Sequence, residues 1–146
     1  MTEALQICTF VLADRTYALP VDQIQEVVRQ LECTPVPLAP GAVRGLANLR
    51  GQITMAIDLR RRLALPARPP GAAGVNIVVR SEDGPVCLIV DEVGDVLEVP
   101  GSALERPPDT LREGLRQVVR GLCKLEDKLV LLLDTSRAID LGSQTS

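Results

Sequence analysis

One stretch occurs twice in this chain of 146 residues, and that repetition constrains the fold more than any other feature. Val43–Leu59 reads VRGLANLRGQITMAIDL, and Val119–Thr135 reads VRGLCKLEDKLVLLLDT. At a constant offset of 76 (119 − 43) the Val-Arg-Gly-Leu opening is identical, and Leu49, Ile53, Ile57 and Asp58 fall on Leu125, Leu129, Leu133 and Asp134. A second echo lies upstream in each copy. Ala18–Val27 overlies Cys87–Val96 at an offset of 69 (91 − 22), sharing Leu, Val-Asp and a closing acid-Val. Two ordered matches at nearly one offset describe a duplicated β-unit of roughly 65–75 residues.

Inside the unit the pattern predicts strand, tight turn, strand and a short helical turn. Arg50-Gly51 breaks the apolar run, and glycine tolerates the positive φ that a tight hairpin needs. Ile53, Met55 and Ile57 then alternate with Gln52, Thr54, Ala56 and Asp58. Asp58 is placed to cap a helical turn through Leu63, which carries Arg60, Arg61 and Arg62. Where the first copy has Arg50-Gly51 the second has Glu126-Asp127. A need of the fold alone would keep both turns alike, so the divergence points to a further role for Arg50-Gly51.

The rest of the chain has the same texture. Gln6–Leu12 and Tyr17–Val21 read as a hairpin about Ala13–Thr16, with Pro20 at a strand end or edge. Asp22 is expected to cap one helical turn before extended residues Gln25–Arg29. Leu31–Pro40 holds three prolines and reads as an extended surface loop. Ala64–Gly74, rich in Pro, Gly and Ala, is the clearest linker. Val75–Arg80, Pro85–Val90 and Asp95–Val99 read as strands, with Asp91 as another cap. Pro100–Asp109 is a loop, Leu111–Gln117 about two helical turns, and Val118–Leu125 with Lys128–Leu133 the last hairpin. Ser136–Ser146 is expected to fray. About ten short strands with regular turns predict an all-β fold: two small barrels of about five strands each, packed side by side, with short helical turns. The halves are 1–66 and 67–146 of one domain, with strand exchange between them allowed. A unit of some 60 residues buries only about 60% of its unfolded surface, so the halves should share a core.

Composition narrows the function. Phe10 and Tyr17 are the only aromatic residues and the net charge is −3, which counts against nucleic acid as a partner. No secretory signal is read at the N-terminus, and the apolar run Leu129–Leu133 is too short to span a bilayer, so a cytoplasmic protein without membrane insertion is expected. Cys8, Cys33, Cys87 and Cys123 are scattered among apolar neighbours with no C-x-x-C pair, and the chain has no histidine. They read as buried reduced thiols rather than a metal site. No cofactor motif is present: no P-loop, no G-x-G-x-x-G, no G-x-S-x-G. The acidic pairs Asp91-Glu92 and Glu126-Asp127 sit at turns, where solvated turn residues are the usual reading. Arg60-Arg61-Arg62 reads as a solvated face or a basic contact patch. No enzyme is expected, and an enzyme or small-ligand barrel would need a polar cluster that the sequence does not supply. What remains is a surface for proteins: a seam between barrels, with Ile24, Val27, Val28 and Leu49 as wall or simply as core.

The motifs resemble the CheW family, the adaptors of bacterial chemotaxis. The resemblance runs from about Phe10 to Asp134 and is carried by Tyr17–Val21, Ile24–Val27, Gly45-x-x-Asn48-Leu49-Arg50-Gly51, Ile57-Asp58-Leu59, Leu88–Asp91, Asp95–Leu97 and Leu131–Asp134. It implies two SH3-like five-stranded barrels and a non-enzymatic adaptor without cofactors. Its implied partners are the cytoplasmic tip of a methyl-accepting chemoreceptor, bound in an inter-barrel groove, and the regulatory domain of a CheA-type histidine kinase, bound barrel to barrel. It also implies recruitment to receptor clusters. By resemblance the receptor-binding residues are Ile24, Glu26, Val27, Asn48, Leu49 and Arg50, with Glu26 and Arg50 a charge pair. Arg44, Gly45 and Gly51 are implied at the turn and partner interface. The alternative is an accessory module that binds receptor or scaffold without recruiting the kinase, since the chain stops soon after Asp134.

Overall fold

The computed structural model describes residues 4–29, 31–69, 74–125 and 128–141. Eleven strands appear among them, and their order follows from the duplication. The chain begins with β1 (Ala4–Leu12) and β2 (Arg15–Pro20), a 3-10 turn over Val21–Gln23, β3 (Ile24–Val28) and the two-residue β4 (Cys33–Thr34). Next come β5 (Val43–Leu49), β6 (Gln52–Asp58) and α1 (Leu59–Arg62). The second copy supplies β7 (Val75–Val79), β8 (Val86–Val90), β9 (Glu92–Pro100), a 3-10 turn over Gly101–Ala103, α2 (Glu113–Arg116), β10 (Val119–Leu125), β11 (Lys128–Leu133) and α3 (Thr135–Ile139).

Two sheets result. A terminal sheet has the order β10-β11-β2-β1-β9, and a central sheet the order β3-β7-β8-β6-β5-β4. Read from β5, the central sheet runs β5-β6-β8-β7-β3, strand for strand the order of its counterpart. Each contains one parallel contact, β11 with β2 and β6 with β8. The boundary expected between residues 66 and 67 does not divide the two sheets. Strands β1 and β2 of the first copy join β9, β10 and β11 of the second, while β7 and β8 join β3 to β6. The copies have traded their first hairpins.

Each sheet also curls on itself. In the terminal sheet the chain leaves edge strand β9, makes the 3-10 turn, and brings Glu105 to Leu122 of the opposite edge, β10. Glu105 and Leu122 exchange N–H···O bonds of 2.7 and 2.8 Å. In the central sheet β3 lies on one edge and its continuation, β4, on the other. One segment thus runs along both edges, the device by which a small barrel removes its unpaired edges. Close approach at the closing strand explains the repeated glycine. A Cβ on Gly45 would lie 2.3 Å from the Thr34 carbonyl oxygen, and one on Gly121 would lie 3.2 Å from that of Glu105. Ladder irregularities fall at matching places, between Val43 and Gly45 and between Val119 and Gly121.

Three apolar clusters hold the body together. The largest lies between the sheets, with Phe10, Tyr17, Leu19, Leu131 and Leu133 from one and Ile57, Ile77, Val79, Leu88 and Val90 from the other. The Phe10 and Tyr17 rings stack in it with centroids 6.0 Å apart. Ile7, Ala18, Val99, Cys123, Val130 and Leu132 make one inner cluster, and Leu49, Ala56, Val78, Cys87 and Ile89 the other. Burying a Leu, Ile or Phe side chain contributes about 1.5–3 kcal/mol, so the cluster between the sheets binds the halves into one unit.

Several local expectations change. Asp58 does cap α1, accepting the Arg60 N–H, and Asp134 likewise caps α3 through the Arg137 N–H. Asp22 caps nothing, because the 3-10 turn starts at Pro20 without a side-chain cap and takes Asp22 into its first turn. Asp91 is an anchor rather than a cap. Its carboxylate accepts from the Ala13 N–H at 3.0 Å, from Arg60 Nε at 2.9 Å and from Arg68 Nε at 3.2 Å. Arg60-Arg61-Arg62 is therefore neither a solvated face nor a patch. Arg60 is held by Asp91, Arg61 is exposed, and Arg62 is buried with its guanidinium on the carbonyls of Arg137 and Ala138 in α3. The first part of the segment expected to fray is ordered beside that contact: α3 forms over Thr135–Ile139, and Ala138 and Leu141 are buried, while residues 142–146 lie outside the described residues. The helical turn at Leu111–Gln117 shrinks to Glu113–Arg116, with no side-chain cap.

Candidate protein-binding face around Glu26 and Arg50

The β5–β6 hairpin turns on two residues of positive φ, Arg50 at 53° and Gly51 at 87°. That pairing gives the tight turn whose twist matches its strands. Glycine adopts it freely, but an L-residue in the left-handed region costs about 1–2 kcal/mol. Asn48 braces the turn, its side-chain oxygen accepting the Gly51 N–H at 2.7 Å. The turn projects Arg50 toward β3. There its guanidinium forms a two-pronged pair with Glu26: Nη2 to Oε1 at 2.5 Å and Nη1 to Oε2 at 2.9 Å. The partners are unequally exposed, with the Arg50 side chain 76% accessible and Glu26 18%. Gln25 adds a longer contact to Glu26 at 3.4 Å.

The structure thus brings together Glu26, Asn48, Arg50 and Gly51, four of the residues expected at the interface. Val27, next along β3, is 43% exposed. The remaining candidates go elsewhere. Ile24 packs against the cluster between the sheets, and Leu49 is 6% exposed in the inner cluster of the central sheet. Leu49 is thus core, because the alternation of β5 turns it inward while Asn48 points out. Gly45 is buried, and its place follows from its approach to Thr34. Arg44 is exposed on the outer face of β5.

Sequence reasoning missed two apolar residues of this face. Ile53, 66% exposed, sits opposite Asn48, and Leu46, 40% exposed, is further along the same strand pair. Alternation placed Ile53 on one face with Met55 and Ile57, of which only Ile57 is fully buried. The hairpin tip runs past the barrel, and its first apolar residue is left uncovered. The same happens at the matching position Leu129, 48% exposed. The signal was present as an apolar residue at the second position of the strand that follows a turn.

The face offers a fixed cation, a carboxylate and uncovered apolar side chains. Among the described residues no group of three or more His, Cys, Asp or Glu could hold a metal ion, and no helix is long and apolar enough to cross a membrane. The thiols belong to the packing. Burial raises the Cys87 thiol to about 11, with the neighbouring Cys33 and Glu26 adding to the effect.

Comparison with known proteins agrees with this architecture. A family model described as a CheW-like domain matches residues 6–142. This chain belongs to that family. It is similar to the chemotaxis protein CheW of Bacillus subtilis, 30% identical over 97% of this chain and 90% of that protein. It is also similar to the chemotaxis protein CheW of Helicobacter pylori, 30% identical over 90% of this chain and 79% of that one. Among solved structures, the scaffolding protein TtCheW of Thermoanaerobacter tengcongensis superposes with a TM-score of 0.81 at 30% identity, covering 90% of each chain. This chain, with its five-stranded and six-stranded sheets, thus shares its fold with a solved protein of that family.

Proposed function

We propose that this CheW-like protein is a non-enzymatic coupling adaptor of a chemosensory pathway. It binds the cytoplasmic tip of a methyl-accepting chemoreceptor through the face around Glu26 and Arg50, beside the seam between the barrels. It engages the regulatory domain of a CheA-type histidine kinase by barrel-to-barrel contact, in receptor clusters at the cytoplasmic side of the membrane. The observation that carries this reading is the exposed Glu26–Arg50 pair on a turn that would be cheaper with another residue. An exposed ion pair adds about 0–1 kcal/mol, and the left-handed arginine costs about as much. The two terms are of similar size, so the arrangement adds little to stability, and what it achieves is a guanidinium held in one pose on a face that also exposes Val27 and Ile53. A helical hairpin tip offers the matching surface, an apolar stripe with charges at its margin.

The test is a titration of the purified protein against a receptor signalling-domain fragment and, separately, a kinase regulatory domain. Wild type should bind both. Arg50→Ala and Glu26→Lys should keep the wild-type circular dichroism and weaken receptor binding at least tenfold while leaving kinase binding within twofold. An unfolded Arg50→Ala protein, or unchanged receptor affinity, would overturn the role given to the pair. Receptor binding without kinase binding would overturn the coupling role.

A further inference from the structure

The second copy carries a basic cavity that shares no residue with the Glu26–Arg50 face. Arg106, Arg116, Arg120 and Arg137 line a hollow of about 570 Å³, together with Pro107, Val119 and Asp134. The arginines come from four places in the chain: the loop after Glu105, the end of α2, the start of β10, and α3. The fold converges them, in a protein whose net charge is −3. Their local neutralisation is slight. Arg116 lies 3.7 Å from Asp109, a side chain fully in solvent, and Arg137 lies 4.0 Å from Asp134. Asp134 is in addition engaged as the cap of α3. Among the described residues, Arg106 and Arg120 have no carboxylate within ion-pair distance. The lining therefore sums to four positive groups against one negative.

We infer that this hollow is a docking site for a carboxylate-rich segment of a partner protein. Guanidinium forks match carboxylates two-pronged, and their concentration in a concave site raises both affinity and encounter rate. The lining favours a peptide over a nucleotide, since it contains no aromatic ring on which a base could stack. The hollow is also large for one phosphate group, and four separated forks suit several carboxylates spaced along a chain. The proposal goes beyond the adaptor reading and shares no residue with the Glu26–Arg50 face.

The experiment is fluorescence anisotropy of labelled hexaglutamate with the full chain at low and moderate salt. Unlabelled hexaglutamate and inorganic tripolyphosphate serve as competitors. Wild type should bind, more weakly as salt rises. Arg120→Glu should weaken binding at least tenfold, and Arg106→Glu similarly. Arg29→Glu, an equal charge change at an exposed position outside the hollow, should alter it less than twofold. Circular dichroism verifies that each variant is folded. The proposal is overturned by no binding at low salt, or by equal losses in Arg120→Glu and Arg29→Glu, which would be a general charge effect. Displacement by tripolyphosphate at concentrations far below those of hexaglutamate would also overturn it, in favour of a phosphate ligand. Failure here leaves receptor and kinase titrations unaffected, so the two readings stand or fall separately.

Discussion

Gly45→Ala is the substitution on which the account of barrel closure depends most directly. A methyl group at this position would sit 2.3 Å from the Thr34 carbonyl oxygen and 2.7 Å from its carbonyl carbon. Ordinary contact needs about 1 Å more, and the obstacle is backbone, so no side chain can rotate away. Either β4 lifts from β5 or the bulge at Val43–Gly45 rearranges. Overpacking of this kind costs about 1–3 kcal/mol. Lifting β4 also exposes the Cys33–Ala47 and Thr34–Leu46 pairs, at about 1 kcal/mol per lost hydrogen bond. The expected loss is about 2–4 kcal/mol, or a fall of roughly 5–15 °C in Tm for a chain of this length. Gly121→Ala is the internal control. Its Cβ would lie 3.2 Å from the Glu105 carbonyl, a conflict of a few tenths of an ångström. Reduced freedom of the unfolded chain returns about 0.4–1 kcal/mol, so that variant should lie within about 1 kcal/mol of wild type. Urea unfolding monitored by circular dichroism reads both. A Gly45→Ala protein within 0.5 kcal/mol of wild type would refute the reasoning, as would an equal loss in Gly121→Ala.

Two further predictions concern the anchors. Burial alone would raise the Asp91 carboxyl, but the Arg60 hydrogen bond, the Ala13 N–H, the Arg60 charge and Arg68 together hold it below the ordinary carboxylate value. A depressed folded pKa contributes stability that is complete above about pH 4 and is lost as pH falls through the folded value. Asp91→Asn should therefore lower the unfolding free energy read from urea titration at pH 7 by about 1–3 kcal/mol, through the lost hydrogen bonds to a charged group, and flatten its decline in acid. An unchanged acid slope would contradict the assignment. Arg62→Met keeps much of the buried stem and removes the donors to the Arg137 and Ala138 carbonyls. It should cost about 1–3 kcal/mol and speed hydrogen exchange in α3 while leaving β1 protected. Unchanged exchange in α3 would show that the helix holds without this contact.

The sequence shows some of these arrangements plainly and hides others, for physical reasons. The hairpins and the Asp58 cap were legible, because turn chemistry and caps are local. The Val-Arg-Gly-Leu repeat was legible as a pattern, yet its reason was not, since Gly45 is constrained by Thr34, a residue eleven positions away whose approach depends on closure. Arg62 misled more thoroughly. In a run of three arginines it looked solvated, and only the packing of α1 beside α3 provides carbonyls to satisfy a buried guanidinium. The burial of Leu49 and the exposure of Ile53 were open in the sequence for a related cause. Alternation tells which residues share a face but not where along a strand the covering layer stops.

The traded hairpins bear on where function can diverge. In each copy the hairpin that follows the Val-Arg-Gly-Leu start stays with its own sheet, while the first hairpin is given to the other. The cluster between the sheets therefore needs both copies, and both are held to the same pattern there, as the pairing of Ile57 with Leu133 at one offset shows. The outer turns carry no such constraint. The positions matching Glu26 and Arg50 are Asp95 and Glu126, two acids that cannot form the ion pair. Asp95 instead has its backbone N–H and C=O engaged by the Thr9 hydroxyl. The two copies thus differ in sequence at the turn, and among the described residues the Glu26–Arg50 pair belongs to the first. The second copy places its arginines around the hollow beneath α3, on the other sheet. Two charged features of opposite construction have arisen on one repeated scaffold. They sit where the shared core imposes no demand, which is where a duplicated fold is free to acquire different partners.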